Sequence, residues 1–227
     1  YTAQEYLNVL HKIQPPHTPP MANYSAILQE HRILERVAQR EIDEVWIFAF
    51  PYAGFYESAM GGKGAFWCNA HPIPDTDSCP RRFVVMGFSC ERGVGEMLEA
   101  FGHRAESILE KTFSALPPER NLYRTFTLYD KIAPGQAHVG TIHYAPNSES
   151  DYDWGNPRFV RSACDDWYNF PHFQNLWREV NAAEWGNGDI RAHHLWWFKH
   201  LPHVGGRTHG ISNNWWQYIL DPNLVNV

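Results

Sequence analysis

Apolar residues recur at steps of three and four over residues 24–42, where Ile27, Leu28, Leu34, Val37 and Ala38 share one face. That period predicts a helix, with Ser25 as its N-cap. A shorter helix is expected over 2–13. Between the two, residues 14–20 carry four prolines, which block helix and favour extended backbone. The pattern then changes. Residues 43–50 form a nearly continuous apolar run ending at Pro51, the signature of a strand covered on both faces. A second such run, 82–88, predicts another strand, and the Gly-, Pro- and aromatic-rich stretch 51–82 predicts a long structured loop. Helical periodicity returns at 94–110, with Val94, Met97, Leu98, Phe101, Ala105, Ile108 and Leu109 on one side. Past Pro118 the pattern predicts short strands at 122–128 and 139–144, irregular chain over 145–171, and helices at 172–184, 190–200 and 212–220. The expected fold is α/β in the broad α+β sense: one domain over 23–227, a small mixed sheet flanked by helices, with long aromatic-rich loops. A Pro-rich arm, 1–22, precedes it.

Composition narrows the function classes. The 227 residues are 44% hydrophobic and 15% aromatic, enough for a large core. No run of 18 apolar residues occurs, so no membrane span is expected. A net charge of -6 with scattered Lys and Arg argues against a nucleic-acid surface. Cysteines stand at 68, 79, 90 and 164; Cys68 and Cys79 flank a short polar loop with two prolines, and a disulfide between them is expected. That bridge, the sequon Asn23-Tyr24-Ser25 and a start at Tyr1 without an apolar leader suit a processed, secreted protein in an oxidising compartment. Motifs for nucleotide binding and for a serine nucleophile are absent.

The polar side of the 94–110 helix carries the candidate chemistry. Glu96, Glu99, His103, Glu106 and Glu110 follow one another at helical steps and so share a face. Such a row is either the wet side of an amphipathic helix or a metal and acid/base constellation. Two features favour chemistry: Glu106 and Glu110 are like charges four apart, and Gly102 sits mid-helix at a cost of about 1 kcal/mol. A small residue beside a histidine is useful where another segment comes close.

The stretch Glu99-Ala100-Phe101-Gly102-His103 resembles a degenerate form of the metal-binding helix of zincin metallopeptidases, in which two histidines four apart hold zinc and the glutamate between them activates water. The predicted strand just upstream is also similar to zincin architecture. Glu99 stands in place of the first histidine and Ala100 in place of the catalytic glutamate. The resemblance implies a zincin-like core, a zinc ion, and a metal-dependent hydrolase acting on a peptide or glycan. In this scheme Glu99 and His103 bind the metal with a histidine from the C-terminal cluster, His203 or His200. Glu106 serves as a fourth ligand or orients His103, and Glu96 or Glu57 replaces the missing base.

Other readings stay open. Tyr52, Tyr56, Trp67, Trp154, Trp215 and Trp216 are candidates for an aromatic groove gripping an extracellular peptide or polysaccharide, which describes a non-catalytic glycan- or protein-binding module, or a structural surface protein. Asp151 and Asp153 in a Gly- and Asn-containing turn could bind calcium.

Overall fold

A computed structural model of the chain describes residues 1–226. The architecture is mixed α+β, with one three-stranded sheet, two two-stranded sheets and helices beside them. Two compact units divide it, Tyr1–Gly93 and a second that begins at Val94.

In the first unit, α1 (Ala3–Leu10) starts at a capping box. The Thr2 hydroxyl accepts from the Glu5 backbone and the Glu5 carboxylate accepts from the Thr2 backbone. The expected helix over 24–42 is instead two short ones, α2 (Tyr24–Glu30) and α3 (Ile33–Ala38). Arg32 adopts left-handed backbone, φ 52°, and breaks the run. Asn23, not Ser25, caps α2 by accepting from the Ala26 amide at 3.0 Å. The apolar period persists across the break because Leu28, Ile33 and Val37 still face one core, shared with Ala59, Ile73, Phe83 and Val85.

The sheet has the order β1 (Glu44–Ala49), β3 (Phe83–Ser89), β2 (Ser58–Gly61), with β1 parallel and β2 antiparallel to the central strand. Glu44 pairs with Val84 and Ala49 with Ser89. Strand β3 is buried along Phe83 to Met86, as its apolar run predicts. Strand β1 is not covered on both faces. It is an edge, and Trp46 and Phe48 stand exposed against Phe88, with ring centroids 5.3 and 5.2 Å away. Strand β2 escapes a propensity reading because Ser-Ala-Met-Gly contains no β-branched residue. Contrary to expectation, no disulfide joins Cys68 and Cys79. Cys68 lies against the Ser58 hydroxyl, whereas Cys79 points its thiol at the Arg81 carbonyl, 3.2 Å away. Backbone bonds from Ile73 to Met60 and from Lys63 to Cys79 pin the intervening loop without a bridge.

In the second unit, α4 (Val94–Phe113) is the long amphipathic helix. Its apolar side enters a core through Ala105, Leu109 and Phe113, together with Trp167, Trp185, Trp197 and Trp215. The Phe126 ring meets Trp167, Trp197 and Trp215 at 5.0, 5.7 and 5.7 Å. Residues expected as a strand over 122–128 form a short helix, α5 (Leu122–Phe126), capped by Asn121. The stretch 139–144 is loop, and 172–184 holds strand β5 (Arg178–Val180), paired with β4 (Val160–Ser162), and the start of a 3-10 turn (Ala182–Trp185) rather than one α-helix. Helix α6 (Ile190–His200) follows as predicted, and a hairpin of β6 (His203–Thr208) and β7 (Ile211–Asn214) leads to α7 (Trp216–Leu220). Among the described residues no helix is long and apolar enough to cross a membrane.

Candidate metal centre

Helix α4 sets Glu99 and His103 one turn apart on its polar side. A third side chain reaches them because Gly102 has none. A Cβ at Gly102 would lie 2.4 Å from Ile142 Cγ1, so only glycine lets the 140–145 segment press against the helix at that turn. The segment is itself tightly shaped. Gly140 has φ +88°, and a Cβ there would lie 2.1 Å from the Tyr144 carbonyl. The Thr141 hydroxyl accepts from the Tyr144 amide at 3.1 Å, and the Trp197 indole donates to the Gly140 carbonyl at 3.1 Å. Glu106 ties the segment to the helix by accepting from the Ile142 amide at 2.8 Å. His143, next in sequence, is thereby delivered to Glu99 and His103.

The three side chains form a compact set. One ligand atom from each of Glu99, His103 and His143 lies within 4.8 Å of the others. His143 Nε2 is 2.9 Å and His103 Nε2 3.9 Å from Glu99 Oε1. The imidazoles stand edge to face at 4.6 Å. Each ring's other nitrogen has its own carboxylate: His103 Nδ1 lies 3.3 Å from Glu106 and His143 Nδ1 3.0 Å from Asp151. Carboxylates in that position fix the ring and direct the Nε2 lone pair inward.

Electrostatics follow the geometry. Burial works against charge on Glu99, which is 6% exposed, but hydrogen bonds from His103, His143 and Tyr152 and the His143 charge outweigh it. The carboxyl is held well below the usual range. Burial likewise lowers His143, yet the hydrogen bond to Glu99 and the nearby carboxylates raise it on balance. Two further imidazoles on α6, His193 and His194, are fully buried and meet through their Nδ1 atoms at 3.0 Å. Trp154 stacks on His193 at 5.0 Å. Burial pushes His194 down to about 4 and His193 well below the usual histidine range, so both are neutral.

The centre opens on a cleft of about 600 Å³ lined by His103, His143, Glu106, Glu110, Arg124 and Tyr129, among others. Its carboxylates are Glu106, already engaged, and Glu110.

The remaining sequence candidates fall elsewhere. Glu96 lies half-buried in the first turn of α4. Glu57 belongs to the first unit, where it accepts from Asn69 at 2.7 Å. His200 is buried beside Cys164 and Asp165, and His203 is exposed at the start of β6, its Nδ1 3.0 Å from the Leu201 carbonyl. His143, and neither of them, stands beside Glu99 and His103. Trp154 and Trp215 are core residues, 5% and 1% exposed, and Trp216 is half-buried against Phe101 and Phe198; these rings supply packing instead of a groove. Tyr52, Tyr56 and Trp67 are exposed on the first unit. Asp151 and Asp153 diverge: the first faces His143, the second accepts from the Glu149 amide and the Asn156 side chain in a local turn.

His143 was not singled out by pattern. The signal for it was Gly102, which announces a close approach without saying by which segment. Neither family models, nor curated proteins, nor solved structures match this chain.

Proposed function

We propose that Glu99, His103 and His143 hold a divalent metal ion, and that the protein is a metal-dependent hydrolase acting on a peptide or related polar substrate admitted through the cleft. One carboxylate with two imidazoles suits zinc and is the donor set of open, catalytic zinc sites. The observation that carries the reading is the double support: both histidines have Nδ1 tied to a carboxylate while both Nε2 atoms converge on Glu99. A row of solvated side chains on an amphipathic helix has no reason to recruit a third ligand from a distant loop.

The ion would supply Lewis acidity, polarising a scissile carbonyl and lowering the pKa of a water. The chain's own residues do the rest. Glu99 and His143 give up the proton they share so that both can ligate. Glu106 and Asp151 hold the Nδ1 side of each imidazole, which turns the ring and leaves Nε2 to face the ion. Glu110 lines the cleft two turns beyond His103 and is the cleft carboxylate proposed to accept a proton, a role the sequence pattern offers to Glu96 or Glu57. This arrangement supports the zincin resemblance in one respect, the pair of ligands four residues apart on a helix. It departs from that pattern at Ala100, where no carboxylate stands. An extracellular setting belongs to the same proposal and rests on the sequon, since no disulfide joins the described cysteines.

The test is hydrolysis of a mixed peptide pool by the purified chain. Cleavage should require added zinc, cease with chelator, and be lost in Glu99→Gln and His143→Ala. Cleavage that persists in both variants would overturn the reading.

A further inference from the structure

A second cluster in the same unit has ligand chemistry of its own. Cys164 and Asp165 open the 3-10 turn Cys164–Asn169, and His200 ends α6. A sulfur, a carboxylate oxygen and a ring nitrogen from these three lie within 4.8 Å of one another. We propose that Cys164, Asp165 and His200 form a second metal site, suited to zinc and built for structure, separate from the Glu99 centre.

Four observations support it. His200 is 2% exposed, its Nδ1 lies 2.7 Å from the Trp196 carbonyl, and its Nε2 is buried without a hydrogen-bond partner. A ring that donates from Nδ1 to a carbonyl presents a bare lone pair at Nε2, the form in which histidine binds metal. Leaving that atom unsatisfied is costly inside a protein. Second, Cys164 supplies a soft sulfur, and thiolate with imidazole selects zinc-like cations over calcium or magnesium.

Third, the charges are unbalanced by one. Arg178 bonds Asp165 at 2.5 and 3.0 Å and Glu184 at 2.7 and 2.9 Å, so two carboxylates face one guanidinium beside a neutral thiol. Exchange of the thiol proton for a divalent cation, with the proton released to solvent, brings the group to neutrality. Fourth, Asp165 is half-buried and Tyr168, whose ring sits 4.5 Å from His200, is exposed, which gives an ion a way in.

A nucleophilic Cys–His pair is the competing use of these residues, and the structure disfavours it. Cys164 is 0% exposed, and burial pushes its thiol up to about 12, the opposite of an activated thiolate. Metal binding overcomes such a pKa by direct coordination.

Cobalt(II) added to the full chain carrying Cys90→Ser, which removes the exposed thiol, tests the site. The Glu99 centre contains no sulfur, so a thiolate-to-cobalt charge-transfer band in the near ultraviolet that depends on Cys164 reports the second site and not the first. The band should appear, vanish in Cys164→Ser, and persist in His143→Ala. His200→Gln, which leaves the thiol in place and guards against a misfolded serine variant, should weaken cobalt binding by at least about tenfold. Absence of the band, its survival in Cys164→Ser, or unchanged affinity in His200→Gln would overturn the proposal.

Discussion

Glu106 divides one carboxylate between two tasks, accepting from the Ile142 amide through Oε1 and facing His103 Nδ1 through Oε2. It therefore both holds the loop and aims a ligand. Glu106→Gln keeps an acceptor for the amide but loses the charge behind the imidazole. Metal affinity should fall by about 10- to 100-fold with the fold intact, measured by competition with a chromogenic chelator; equal affinity would remove Glu106 from the site. Asp151→Asn should behave similarly through His143. At this scale the sequence was half legible. Glu99, His103 and Glu106 can be read as one group because helical steps are local geometry. His143 reaches Glu99 across 44 positions of sequence, a relation no periodicity encodes. His200 and His203 were attractive as a cluster, but the turn at Leu201 and Pro202 sends them apart, one into the interior and one to solvent.

Among the elements, the helix α4 and the 140–145 segment act as one device, and Gly102 is its hinge point. Gly102→Ala should improve helix propensity by about 1 kcal/mol, yet the new methyl meets Ile142 at 2.4 Å. Overpacking of that kind costs about 1–3 kcal/mol, so the net effect should be destabilising, and metal affinity should drop with it as His143 is displaced. Chemical denaturation of the metal-free and zinc-loaded variant separates the two effects; a stabilised variant would show that the segment is not clamped. Helices α1, α4 and α6 and strand β3 were readable from pattern because a cap, a long amphipathic period or a buried run decides each of them locally. Strand β1 departs from the covering its apolar run predicts, since aromatic residues suit an open edge as well as a buried strand. The short elements after Pro118 differ from those their pattern predicts because tertiary packing around Trp167, Trp197 and Trp215 decides them, not their own propensity.

For the molecule as a whole, its buried histidines set its response to acid. His194 and His200 are pushed from 6.5 down to about 4 by burial, and burial also holds His193 well below the usual range; half-buried His138, which accepts from the Trp167 indole, also falls to about 4. Groups whose folded pKa is depressed stabilise the fold above their unfolded pKa and lose that contribution as pH falls toward the folded value. His143, raised by Glu99, acts in the opposite sense, one group against four. Stability of the metal-free protein should therefore decline between about pH 6.5 and pH 4, read as a falling urea midpoint; a midpoint flat over that range would contradict the burial of these rings. The central claim, that Glu99, His103 and His143 form a metal centre, is tested most directly by zinc uptake of the Cys164→Ser protein, in which the second cluster is silenced. The account predicts about one tightly held equivalent, accompanied by a raised melting temperature, and loss of both in Cys164→Ser combined with His143→Ala. No uptake, or uptake that His143→Ala leaves unchanged, would contradict it.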